Sequence, residues 1–275
     1  MNEVVRWTRE RDKMIPKKAT IIILVIFSAL SFLKLYTLAP TISEYELPYV
    51  SHKISHHDSL PAEDTLAEDT LSPKEYQLLS NLISRRAPCN LLFFGLKPQF
   101  LDLAALNTEG TTIFLEDDSE KLKTQLPKGM GIYLVKNHEK AGKGFELLEH
   151  ARKHPSCGLQ VGLITESGCK LALKGLPEAV YGRKWDVIVI DGPSGDQPEA
   201  PGRMGAIYTA ARLAHMGVDA DVFVHDTDRM IEKWYSWEFL CHENLVSSKG
   251  KLWHFRVAAH SGSDRFCSQS AVQIL

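Results

Sequence analysis

The apolar positions of the 275-residue chain fall into three regimes. From Ala19 to Leu33 (ATIIILVIFSALSFL) no residue is charged, and the apolar run continues to Ala39 with Lys34 as its single interruption. That is about the 20 residues a helix needs to cross a bilayer core, and a lysine near the end can snorkel to the headgroups. Residues 40–71 lose all periodicity. They are polar and acidic, with Pro48, Pro61, His52, His56 and His57, and a tandem AEDTL at 62–71. The histidines have no cysteine and no rigid frame beside them, so they read as solvated spacer rather than a metal site.

From Ser72 onward, short apolar runs alternate with helical stretches. Ser72, Pro73 and Glu75 occupy N-cap, N1 and N3 of a predicted helix reaching about Ser84. The strands predicted next are 90–94, 112–115, 132–135, 185–190, 222–224 and 252–257, and the helices 99–106, 120–126, 143–153, 203–215 and 229–241. Strand–helix alternation with continuously apolar strands predicts an α/β, Rossmann-like domain around a mostly parallel, buried sheet. Ligands of such sheets bind at the carboxyl ends of the strands.

Charge sharpens the division. The totals, 32 Lys+Arg against 34 Asp+Glu, show no basic excess, so a nucleic-acid partner is not expected. Before the apolar run, however, Arg6, Arg9, Arg11, Lys13, Lys17 and Lys18 outnumber Glu3, Glu10 and Asp12. The positive-inside rule then predicts a cytoplasmic tail at 1–18, a transmembrane signal anchor at 19–39, a lumenal stem at 40–71 and a catalytic domain at 72–275: a single-pass type II protein. A cleaved secretory signal fits less well, because no small-x-small site closely follows the run. All five cysteines (Cys89, Cys157, Cys169, Cys241, Cys267) lie beyond the anchor. They allow at most two pairs within the chain; Cys241 with Cys267 is a natural tie for the C-terminal tail, though spacing alone does not fix connectivity. No C-x-x-C occurs, and no N-x-[ST] acceptor. The pattern sets no oligomeric state.

Candidate chemistry gathers at strand ends. Gly95 closes the first strand, and Glu116 closes the second 21 residues later. That spacing suits a carboxylate gripping a ribose diol, while the absence of G-x-G-x-x-G points away from a dinucleotide and toward an adenosyl ligand without pyrophosphate. WDVIVID ends in Asp191 and DVFVHD ends in His225-Asp226. On neighbouring strands, two carboxylates and an imidazole converge, able to hold a divalent cation through Asp191 and Asp226, or to remove a hydroxyl proton, unless the aspartates merely cap the helices that follow. Asp226-Thr227-Asp228 also reads as the D-x-D of a glycosyltransferase with a nucleotide-sugar donor; the early Gly95 and Glu116 unit argues against it.

Several segments carry a resemblance: CNLLFFGL at 89–96, TIFLEDD at 112–118, WDVIVIDGPSGDQPEAPGRMGAIYTA at 185–210, DVFVHDTDRMIEKWYSWEFLC at 221–241, GKLWHF at 250–255 and RFC at 265–267. Together they resemble the plant Golgi polysaccharide methyltransferases, the glucuronoxylan 4-O-methyltransferase group and its arabinogalactan relatives. The resemblance implies a class I methyltransferase fold on a Golgi membrane, S-adenosylmethionine as cofactor, and transfer to the 4-hydroxyl of glucuronic acid on a cell-wall polysaccharide, glucuronoxylan first. Related branches act on arabinogalactan, to which LWHF is closer, or support xylan deposition without a settled activity. On this reading Glu116 holds the ribose, Gly95 and Asp191 the rest of the donor, and His225 is the base assisted by Asp226 and Asp191; Arg203, with Arg229 in reserve, binds the uronate, and Glu199 binds sugar hydroxyls.

Overall fold

In the computed structural model, residues 70–136, 139–159, 164–217, 219–259 and 265–268 are described. The expected anchor at 19–39, its tail and nearly all of the stem lie outside them; among the described residues no helix is long and apolar enough to cross a membrane.

Five parallel strands form the core of one sheet: β1 (Asn90–Phe94), β2 (Thr111–Glu116), β3 (Met130–Leu134), β4 (Val187–Ile190) and β5 (Ala220–Val224). The antiparallel pair β6 (Leu245–Lys249) and β7 (Leu252–Val257) extends it, giving the order β3-β2-β1-β4-β5-β7-β6. This is a doubly wound sheet whose connections reverse between β1 and β4, so the crevice above those two strands is where a ligand belongs. The continuous apolar runs NLLFF, VIVI and ADVFV follow from that topology, since central parallel strands are covered on both faces.

Alternation along β1 shows the two layers. Phe93 stacks on Phe100 of α2 (Pro98–Ala105) at 4.9 Å and on Phe114 at 5.0 Å, in the layer with Leu79 and Ile83 of α1 (Pro73–Arg86). Leu92 and Phe94 face the other layer, with Leu147 of α3 (Gly144–Lys153), Val180 of α4 (Glu178–Tyr181) and the wholly buried α5 (Met204–His215). The last helix, α6 (Met230–Tyr235), runs on into a π turn at 236–240 and stops at Cys241, whose φ is +73°.

Two expectations are corrected. The helix predicted at 120–126 is only a 3-10 turn at Lys121–Lys123, because Pro127 biases Leu126 out of the α region and too few apolar positions remain to anchor a longer one. The unforeseen β6, LVSSK, is an edge strand with Val246 exposed, so it lacks the apolar pattern that reveals a buried strand. Cysteines pair as Cys157–Cys169 and Cys241–Cys267; the second is the expected tie for the tail. Cys89 keeps a buried thiol, pushed up to about 11 by burial.

At the amino end of β5, far along the strand from the crevice, Asp221 is buried beneath His254 (2.7 Å), Arg256 (2.9 Å) and Arg86 (2.9 Å). Burial works to raise its pKa, but the His254, Arg256 and Arg86 hydrogen bonds win and hold it at about 2. A carboxyl depressed in the folded state stabilises above its unfolded value near 3.9, and that contribution disappears as pH falls through about 2. Urea unfolding at stepped pH should therefore show a loss on the order of 2 kcal/mol between pH 4 and 2. In Asp221→Asn that acid limb should be flattened; an unchanged limb would assign the acid loss to other carboxyls.

Candidate active site

Strand β1 ends in Gly95, whose φ of +98° turns the chain sharply back over the sheet. A Cβ built there would stand 3.0 Å from the Asp191 carbonyl oxygen, and one at Gly192 would stand 2.8 Å from Gly95 Cα. The loops after β1 and β4 thus touch backbone to backbone. Gly95→Ala combines a left-handed φ with that close contact, and should lower the thermal unfolding midpoint by the equivalent of about 1–3 kcal/mol. An unshifted midpoint would mean that the two loops can part freely.

Glu116, at the end of β2, is buried and organises the neighbouring turn. Its Oε2 accepts the Leu96 N–H at 2.6 Å and lies 3.3 Å from Lys121 Nζ; its Oε1 accepts the Asp117 and Asp118 N–H groups, each at 3.1 Å. Gly95, Glu116, Asp117, Asp118, Asp191 and the 192–194 backbone enclose a cavity of about 220 Å³, with Leu96, Lys97 and Lys121 completing its wall. Gly95, Glu116 and Asp191 are therefore brought together as their positions in the sequence predict.

Beneath this cavity lies a buried charged cluster. His225 Nδ1 is 3.0 Å from Asp191 Oδ1 and 3.3 Å from Asp226 Oδ1. Arg203 Nη2 bridges the two aspartates, 3.2 Å from Asp191 Oδ1 and 2.9 Å from Asp226 Oδ2. Lys97 Nζ reaches Asp191 Oδ2 at 2.7 Å from the cavity side. Asp226 adopts φ +58°, rare for a residue with a side chain and characteristic of functional sites. Burial pushes the Asp191 pKa up, but the His225 hydrogen bond, Arg203 and Lys97 outweigh it and the carboxyl stays ionised below its ordinary range. For His225 burial acts downward, yet Asp191, Asp226 and Glu75 prevail and its pKa rises. Asp191, His225 and Asp226 offer three ligand atoms within 4.8 Å of one another.

The geometry revises three expected roles. His225 is buried with Nδ1 turned to the aspartates and Nε2 toward Glu75 Oε2 at 3.7 Å, and it is absent from the cavity wall. Both ring nitrogens are turned to buried carboxylates, so His225 touches the aspartates and Glu75 rather than the cavity. Arg203 is no open fork for a substrate carboxylate: it is 1% exposed, and its Nε donates to the Pro193 carbonyl at 2.7 Å and its Nη1 to the His225 carbonyl at 3.2 Å. Glu199 lies away from the cluster, exposed and paired with Lys140. Arg229 is nearer the surface, joining Asp226 Oδ2 at 3.1 Å and the Ser194 carbonyl at 2.7 Å.

Three participants escaped the sequence reading. Lys97 follows the Gly95 turn directly, and that adjacency was the available signal. Glu75 was already accounted for as the helix-capping glutamate, donated to by Ser72 N–H at 2.7 Å, which hid its second partners, the Lys251 N–H at 2.6 Å and His225. Glu232, buried 3.9 Å from Arg203 and pushed up in pKa by burial, stands next to Lys233 in the first turn of α6, where a glutamate ordinarily reads as a solvated helix-start residue.

The residues that build this site, from Glu75 to Glu232, lie within a stretch matched by a known family. The chain is 39% identical over 193 residues to glucuronoxylan 4-O-methyltransferase 1 of Arabidopsis thaliana, covering 68% of this chain and 67% of that protein. It is 35% identical over 206 residues to arabinogalactan O-methyltransferase 2 of the same plant, covering 70% and 71%. Among solved structures, the MycE methyltransferase from the mycinamycin biosynthetic pathway, in complex with Mg and SAH, aligns at 9% identity and a TM-score of 0.36 over 69% of this chain and 51% of that one. The model of one family, described as IRX15/IRX15L/GXM, matches residues 74–255, from the first turn of α1 to β7. The chain belongs to the IRX15/IRX15L/GXM family.

Proposed function

We propose that the protein transfers a methyl group from S-adenosylmethionine to the 4-hydroxyl of glucuronic acid side chains on glucuronoxylan, from the lumenal side of a Golgi membrane. The observation that carries this reading is the cavity at the carboxyl ends of β1, β2 and β4. Its wall holds four carboxylates (Glu116, Asp117, Asp118, Asp191) against Lys97 and Lys121. A cleft with four carboxylates against two lysines is net negative and attracts a sulfonium cation. Glu116 would hold the ribose, and the turn at Gly95 and Leu96 brings backbone close to the methionyl part. The relatives named as O-methyltransferases support the same chemistry.

In the reaction, the sugar oxygen attacks the sulfonium methyl in line; the O–C bond forms as the C–S bond breaks, and the hydroxyl proton is released. Most of the acceleration in such a displacement comes from holding the two reactants in register. Asp191 lines the cavity, is ionised and is fixed by Arg203, His225 and Lys97, and its carboxylate receives the proton. Asp191 Oδ1, His225 Nδ1 and Asp226 Oδ1 would hold a divalent cation beside Arg203, Asp226 Oδ1 being buried without a hydrogen-bond partner. Such an ion would supply Lewis-acid polarisation of a bound oxygen. The two disulfides suit an oxidising lumen.

One assay tests the reading. Sealed Golgi vesicles containing the full chain are given labelled S-adenosylmethionine with glucuronoxylan or arabinogalactan, with and without detergent, and with and without EDTA. Label should appear on O4 of glucuronic acid, only after detergent admits the polymer, and EDTA should reduce it. Transfer to arabinogalactan alone would move the acceptor to that branch, for which the arabinogalactan relative speaks. Transfer to neither would leave a non-catalytic role in xylan assembly, and transfer from a nucleotide sugar instead would restore the glycosyltransferase.

A further inference from the structure

A second, larger cavity of about 590 Å³ opens on the same edge of the sheet. It lies beyond the end of β3, where Leu134 is the strand partner of Glu116, so the two cavities are neighbours across one register position. Its wall includes Lys136, Lys170 and Lys174, and its floor includes Leu173 and Gly205, two residues beyond Arg203. The loop carrying Lys170 and Lys174 is held firmly. Cys169 is bonded to Cys157, the Leu173 N–H donates to Thr209 Oγ1 at 3.1 Å, and the Tyr181 hydroxyl donates to the Leu173 carbonyl at 2.7 Å. Gly205 lets α5 pack closely on this loop: a Cβ on it would stand 2.9 Å from Leu173 Cδ2 and 3.2 Å from the Leu171 carbonyl oxygen.

Charge says what this cavity takes. Glu139 is the one carboxylate on a wall with three lysines. Among the described residues these lysines form no ion pair, whereas Lys140, Lys121 and Lys97 all do. Unneutralised ammonium groups repel a sulfonium donor and attract a carboxylate. The volume is within the range of small-molecule sites, roughly 300–1,000 Å³.

We propose that this lysine-rimmed cavity is the acceptor site, and that Lys136, Lys170 and Lys174 select acidic saccharides by pairing with uronate carboxylates while the neighbouring acidic cavity holds the cationic donor. The proposal rests on the methyl-transfer reading and adds the side from which the sugar enters.

The test uses the detergent-solubilised full chain, a xylo-oligosaccharide bearing glucuronic acid, and the same oligosaccharide with its carboxyl reduced to an alcohol. In the triple variant Lys136→Gln, Lys170→Gln, Lys174→Gln, the KM for the acidic oligosaccharide should rise roughly tenfold, each exposed charge pair giving at most about fivefold. The donor KM and kcat should stay put. Salt should raise the wild-type acceptor KM and barely move that of the variant, as expected for screened pairs. The carboxyl-reduced oligosaccharide should bind wild type and variant equally weakly. An unchanged acceptor KM would overturn the proposal, and a raised donor KM in its place would assign the cavity to the donor. Wild type that transfers methyl to no uronate saccharide would remove the underlying reading, an outcome separate from a variant that behaves as wild type.

Discussion

Arg203→Met is expected to destabilise the domain by about 3–5 kcal/mol, the loss seen when one partner of a buried ion pair is removed and the other is left uncompensated. The side chain is 1% exposed and bridges Asp191 and Asp226 while donating to the carbonyls of Pro193 and His225. Methionine fills most of the volume, so the loss is electrostatic rather than a cavity effect. Lys97 and Arg229 still face outer oxygens of the two aspartates, which places the result toward the lower end of the range. Arg203→Lys should recover little, because a point charge cannot span four acceptors that a planar fork reaches together. Urea unfolding gives the number. Glu199→Ala, exposed and paired only with Lys140, is the matched control and should shift stability by about 0.5 kcal/mol or less. An Arg203→Met protein as stable as the wild type would mean that the aspartates are protonated in the fold, contrary to the lowered Asp191 pKa.

Asp191→Asn should reduce kcat by about 10²–10³-fold, the usual range for losing a positioned proton acceptor. The amide is isosteric and keeps an oxygen for His225, so the fold should survive, but Arg203 loses one of its buried anionic partners and the melting point should fall. What disappears is the charge that faces Lys97 in the crevice and Arg203 beneath it. Because Asp191 also lines the donor cavity, the donor KM should rise as well, though by far less than kcat falls. Steady-state kinetics separates the two. Full turnover in Asp191→Asn would remove Asp191 from proton handling and leave pure positioning.

The strand ends were the legible part of this sequence. Continuous apolar runs identify parallel strands buried on both faces, and polar residues directly after them (Gly95, Glu116, Asp191, His225, Asp226) can only stand at the carboxyl edge, where the fold brings them together. What a one-dimensional pattern does not carry is the direction of a side chain. Arg203 occupies a glycine- and proline-rich loop of the kind that ordinarily faces solvent, but the lacing of that loop against residues 139–142 turns it inward: Ala141 N–H donates to the Ala200 carbonyl and Gly202 N–H to that of Glu139. His225 was recognised as central, yet its placement between carboxylates on both ring nitrogens depends on Glu75, 150 positions earlier, which a local capping motif had already explained. The lysine-rimmed cavity was invisible for a similar reason. Its residues come from β3, an irregular loop and α5, and no spacing links them.

The proposed binding of S-adenosylmethionine in the acidic cavity between Gly95, Glu116 and Asp191 is open to calorimetric titration of the solubilised full chain. One site per chain is expected, with affinity weakened tenfold or more in Glu116→Gln and unchanged in Glu199→Ala. A wild-type chain that binds no S-adenosylmethionine, or a Glu116→Gln chain that binds it as tightly as wild type, would contradict it.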